Sequence, residues 1–99
     1  MMMGDYFELR RRSDDLIYKF MRATREDGRP GFRRSDRDLW IEFRPELGWI
    51  AWDDENNRLS GRPWHVLPGD QSPDGPPAGE WVSKKGDKSY VYELVYTDP

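Results

Sequence analysis

The chain has 99 residues, 35% of them apolar, 35% charged and 14% aromatic, with a formal net charge of -3. That length supports one hydrophobic core rather than two, and the aromatic content beside so small a net charge excludes a chain disordered throughout. With no cysteine there is neither a disulfide framework nor a thiolate metal site.

The N-terminal run MMMGDYFELRRR has no apolar block able to form the core of a signal peptide, and no segment approaches the roughly 20 apolar residues of a membrane span. The expectation is a cytoplasmic protein with no membrane partner, whose residues 1–5 are disordered. Charge is unevenly spread. From Arg10 to Arg37 there are ten basic residues against five acidic, and from Asp38 to Pro99 six against twelve. Such polarity either neutralises itself inside one fold or steers a partner, another copy included.

Tyr6 to Leu9 reads as a short edge strand, with Phe7 and Leu9 on one face. Ser13 then offers a hydroxyl N-cap, and Asp14 and Asp15 fall where a helix dipole favours negative charge. Leu16, Ile17, Phe20 and Met21 share one face of a 3.6-residue period, so a helix is predicted from Asp14 to Asp27, with Gly28 closing it and Pro30 forbidding its continuation. Gly28 to Asp38 reads as a long loop pinned by Phe32 and rich in arginine.

The stretch from Leu39 to Trp64 holds four of the five tryptophans. Leu39, Ile41 and Phe43 alternate with Trp40, Glu42 and Arg44, the period of a half-buried strand. After the turn Pro45-Glu46-Leu47-Gly48, Trp49 to Trp52 is apolar at every position, which predicts a strand covered on both faces. Asp53 to Asn57 turns again. Arg58 to Leu67 reads as a third strand, interrupted by an edge or bulge at Gly61-Arg62-Pro63, since proline cannot donate to a ladder. The proline and glycine content of 68–79 predicts a surface loop. Glu80 to Lys84 and Lys88 to Tyr96 make a hairpin about Lys85-Gly86-Asp87, with Tyr90, Tyr92, Leu94 and Tyr96 on one face.

Together these elements predict a single α+β domain over 1–99, an antiparallel sheet of four to six strands with the N-terminal helix packed on a face. The alternative is an all-β barrel with a helical appendage. An open sheet edge near Pro63, or the last strand, would decide between monomer and homodimer.

Enzyme signatures are missing: there is no phosphate-binding loop, dinucleotide fingerprint, GxSxG elbow or HExxH helix. One histidine and no cysteine cannot assemble the common nucleophile and base pairs. His65 in a strand-like run is expected to be satisfied by a carboxylate or carbonyl. Asp53, Asp54 and Glu55 are expected to be solvated turn acids, lacking the spacing of a calcium loop. No catalytic residue, metal or cofactor is expected.

The residues suited to binding are Arg29, Phe32, Arg33, Arg34 and Arg37 of the basic loop and the tryptophans Trp40, Trp49, Trp52 and Trp64. Arginine and tryptophan are enriched at interface hot spots, which favours a protein-binding accessory module of the inhibitor, immunity or adaptor type. Small size and twelve arginines against four lysines suggest a bacterial or phage source. Two alternatives share these residues. The segment Arg10 to Arg37 could neutralise nucleic-acid phosphates, and an exposed indole could stack on a sugar.

Overall fold

Eight strands follow one another in the computed structural model, which describes residues 4–53 and 55–98. They are β1 (Tyr6–Arg11), β2 (Ile17–Thr24), β3 (Pro30–Arg34), β4 (Trp40–Arg44), β5 (Gly48–Asp53), β6 (Arg58–Pro63), β7 (Gly79–Lys85) and β8 (Lys88–Tyr96). Each pairs antiparallel with the next and β1 pairs with β8, so the sheet closes on itself. Among the described residues the one helical turn is a 3-10 turn, Pro68–Asp70.

The alternation of side chains explains the closure. Phe7 and Leu9 of β1, Phe20 of β2, Phe32 of β3, Ile41 of β4, Trp49 of β5, Trp81 of β7 and Tyr92 and Leu94 of β8 point inward and form one buried cluster. Phe7 stacks on Phe20 at 5.1 Å between ring centroids and leans on Phe32 at 4.8 Å. A barrel of eight strands has an interior just wide enough for side chains to fill, and here large rings fill it. Gly61 makes room for one of them, because a Cβ at that position would lie 2.8 Å from the Trp81 indole nitrogen.

The expected α+β class is overturned: the segment assigned to a helix is a hairpin turn followed by β2. Its apolar spacing satisfies a helical period, but the side chains sort at period two. Tyr18 and Phe20 pack inside the barrel, while Ile17 is 46% and Met21 47% exposed. Ser13 caps no helix. Instead the Arg11 N–H donates to the Leu16 carbonyl at 2.7 Å, and Asp15 turns the chain at φ 62°. Pairing with β1 on one side, Leu9 opposite Tyr18, and with β3 on the other, Phe20 opposite Arg34, outweighs a weak helical preference.

Two further expectations change with it. The loop predicted from Gly28 to Asp38 contains β3, whose Gly31 and Arg33 alternate with Phe32 and Arg34. The open edge predicted near Pro63 or along the last strand does not exist, since β6 pairs with both β5 and β7 and β8 with both β7 and β1. The irregularity foreseen around Gly61 appears as a register shift in which Ala51 faces Gly61 but Trp52 faces Leu59.

The long connection from β6 to β7 closes one end of the barrel. The Trp49 indole N–H donates to the Ser72 carbonyl at 2.7 Å, its backbone N–H donates to the Gln71 side chain at 2.8 Å, and the Tyr96 hydroxyl donates to the Pro76 carbonyl. Arg22, inside the same end, stacks on Phe32 and donates to Asp5, to the Gly4 carbonyl and to the Asp74 carbonyl. Gly48, at φ 75°, leaves the space Gln71 occupies; a Cβ there would sit 2.6 Å from its oxygen. At the opposite end Arg11 lies over Tyr90 and Arg34 over Tyr18, each guanidinium held by a turn carboxylate, Asp14 or Asp36.

Candidate functional site

Outward-facing residues of β3, β4 and β5 form a continuous face. By register Glu42 lies opposite Gly31 on one side and Ile50 on the other. Trp40 and Arg44 flank Glu42 along β4, and Trp52 follows Ile50 along β5. An outward glutamate on a barrel wall normally meets water. Glu42 instead has 3% of its side chain exposed.

Arginines cover it. Arg29 reaches its carboxylate at 2.8 Å, Arg25 at 3.4 Å and Arg44 at 3.6 Å. The three positive charges over one negative charge are held by stacking as well as by charge: the Arg25 guanidinium lies 5.0 Å from the Trp40 ring centroid and that of Arg44 lies 4.3 Å from Trp52. Ile50, the cross-strand neighbour of Glu42 on this face, is fully buried. The buried Nε of Arg44 has no hydrogen-bond partner among the described residues.

The surroundings position these groups. Gly31 faces outward, and a Cβ there would press on the Ile41 carbonyl oxygen at 3.0 Å and touch the Trp40 ring at 3.4 Å, so the bare backbone eases the close approach of the indole. Asp38 accepts from the Trp40 indole at 2.8 Å and from Arg33 at 3.3 Å. Those bonds, the indole first, hold its carboxyl below the usual range. Asp27 accepts from the Arg29 backbone N–H at 3.1 Å and from its guanidinium at 2.7 Å, and is lowered likewise, with the backbone bond the larger cause. The outcome is a preorganised surface of two indoles and four arginines.

Of the residues singled out from sequence, Arg29, Arg33, Trp40 and Trp52 meet on this face. Arg37 is exposed in the turn between β3 and β4. Arg34 points into the barrel mouth. Phe32 and Trp49, also singled out for binding, are core residues exposed by 1% or less. Their strands alternate, and both fall on the inward register. Trp64, 52% exposed, lies on the β6–β7 wall with Arg62 at 5.5 Å from its ring. Sequence reasoning counted Arg25 only within the basic segment Arg10 to Arg37 and did not single out Glu42 or Arg44 for binding. For Glu42 and Arg44 a signal existed, since they alternate with Trp40; Arg25 was hidden by the helical assignment.

The acids considered for chemistry behave as turn residues. Asp53 accepts from the Glu55 and Asn56 backbone and from the Asn56 side chain, and Asp54 lies outside the described residues. His65 pairs with Glu80 at 3.1 Å, the carboxylate partner expected for it. Among the described residues no three histidine, aspartate or glutamate side chains gather as a metal site. No protein family, curated protein sequence or solved structure matches the chain.

Proposed function

We propose that this chain is a non-enzymatic protein-binding module, of the inhibitor, immunity or adaptor type, that meets an acidic partner surface through Trp40, Trp52, Arg25, Arg29, Arg33 and Arg44. The observation that carries the reading is Glu42. A carboxylate buried on the outer wall under arginines, themselves stacked on tryptophans, fixes long side chains that would otherwise lose rotamer freedom on binding. A guanidinium carries five N–H groups, more than the one carboxylate that each of Arg33 and Arg44 faces can occupy, which leaves donors on those two for carboxylates of a partner.

The alternatives draw less support. Nucleic-acid binding through the Arg10–Arg37 segment needs its charge gathered in one stripe, whereas Arg10, Arg11, Arg12, Arg22 and Arg34 lie off this face, each paired with its own carboxylate. Sugar stacking needs a bare ring face, whereas the indoles of Trp40 and Trp52 already carry guanidinium groups. The polarity of the wall, with Glu8, Arg10, Lys19 and Glu93 outward and rings inward, is the reverse of a membrane-spanning barrel and favours a water-facing protein.

Affinity capture with nuclease-treated lysate tests this, comparing the wild type with the variant Arg33→Glu, whose site on the face is exposed. The expected result is a discrete protein retained by the wild type and lost by the variant at unchanged melting temperature. Equal retention by both would reject this face as the contact surface.

A further inference from the structure

The register shift between β5 and β6 decides which way one apolar side chain points. Continued regularly from Ala51 opposite Gly61, the ladder would set Ser60 against Trp52 and Leu59 against Asp53, on the side of Ala51, which packs on the core. The bulge skips Ser60, whose hydroxyl donates to the Ala51 carbonyl at 3.1 Å, and Leu59 stands opposite Trp52 instead. Re-aiming a side chain is a known use of a bulge. Here it moves a leucine from the inward register to the outer wall, where Leu59 is 37% exposed.

A lone exposed leucine is ordinary. This one adjoins an indole, and the two make an apolar spot at the border of the face built on Glu42. Cations surround it. The Arg44 guanidinium lies 4.3 Å from the Trp52 ring centroid and 3.6 Å from Glu42. Arg58, next to Leu59 in the chain and 55% exposed, faces Asp53 at 3.9 Å. Arg62, exposed on the same strand, leans on Trp64 at 5.5 Å and has no carboxylate partner among the described residues. Asp53 is held within its own turn, accepting from the Asn56 side chain at 2.7 Å and from the Glu55 backbone N–H at 3.1 Å.

We infer that the partner reaches this spot with an acidic segment that carries an apolar side chain. The apolar group packs on Leu59 and Trp52, and carboxylates on either side of it meet Arg44, Arg58 and Arg62. The inference rests on the protein-binding reading above and adds the chemistry of the partner's contact. Charge complementarity selects this occupant. A basic segment would meet three guanidiniums, a wholly acidic one would leave the leucine bare, and a second copy in a two-fold contact would set arginines against arginines.

Amide and indole NMR titration of the full chain with three short peptides at fixed ionic strength tests it: glutamates around a central phenylalanine, glutamates around a central serine, and lysines around a central phenylalanine. Saturable movement of the Trp52 indole and the Leu59 and Ser60 amides is expected with the first, at least about tenfold weaker with the second and absent with the third. The variant Leu59→Ser, with a melting temperature matching the wild type, should bind the first peptide about tenfold more weakly. Equal affinity for the phenylalanine and serine peptides, or no saturable binding of the first, would overturn the apolar anchor, as would a lysine peptide that binds as well. The protein-binding reading itself is decided separately, by the capture experiment with Arg33→Glu. Movement of the same signals with protein concentration alone would assign the spot to a second copy and overturn the inference.

Discussion

At the residue scale Glu42 decides whether the outer face is a built surface or a coincidence of exposed side chains. Removing its carboxylate leaves Arg25, Arg29 and Arg44 crowded with no shared counter-charge, although each keeps enough exposure to relax toward water. Glu42→Ala should therefore lower unfolding free energy by about 2–3 kcal/mol in a urea titration, less than a fully buried ion pair would lose. It should also release Trp40 and Trp52 from their stacked guanidiniums, read as altered tryptophan emission. A loss near zero would mean that the stacking alone holds the arginines. Three of the face's residues, Trp40, Glu42 and Arg44, were legible as one side of a strand from their alternation. Their burial was not, because the covering side chain of Arg25 follows β2 and that of Arg29 precedes β3, and no local pattern shows that those segments return to β4.

At the element scale the instructive segment is 14–27. Leu16, Ile17, Phe20 and Met21 fit a helix stripe, and Phe20 with Tyr18 fits a strand face; so short an apolar set satisfies both periods. The two readings separate by mutation. On a helix Ile17 and Phe20 would both be core, whereas on β2 only Phe20 is inward. Phe20→Ala should cost about 3–5 kcal/mol, and Ile17→Lys should stay within about 0.5 kcal/mol of wild type. Comparable losses from both would restore the helical register. The strands from Trp40 onward were readable because turn residues punctuate them and tyrosine, tryptophan and β-branched residues fill them. β3 was hidden because PGFRR has one apolar side chain, and its register comes from its neighbours, with Phe32 paired to Arg22 and Ile41.

For the whole molecule, the two ends of the barrel respond to opposite extremes of pH. At the open mouth, the Arg11 guanidinium holds the Asp14 carboxyl below its ordinary 3.8, and Arg34 does the same for Asp36. A lowered folded value means stability that is present above 3.8 and is lost as pH falls through the folded values. At the plugged end, burial pushes the Tyr96 hydroxyl from 10.0 up to about 12. That contribution is present below pH 10 and is lost as pH rises toward 12. Melting temperature plotted against pH should thus fall on both flanks, with Asp14→Asn, Asp36→Asn flattening the acid limb and Tyr96→Phe the alkaline one. An acid limb unmoved by the aspartate variants would assign it to other carboxylates.

The sequence by itself determined the single core, the absence of thiol chemistry, the alternation of β1, β4 and β8, the continuous apolar run of β5, and the concentration of arginine and tryptophan near the middle of the chain. These are local or compositional properties, carried by neighbours within a few positions. Tertiary structure decided that 17–24 is a strand, that the sheet closes with β8 beside β1, and that Trp49 and Phe32 fill the interior while Trp40 and Trp52 lie outside. Closure pairs residues nearly the whole chain apart, such as Phe7 with Tyr96, and only that long-range pairing settles which of two competing periods a segment adopts and which of its side chains remain available to a partner.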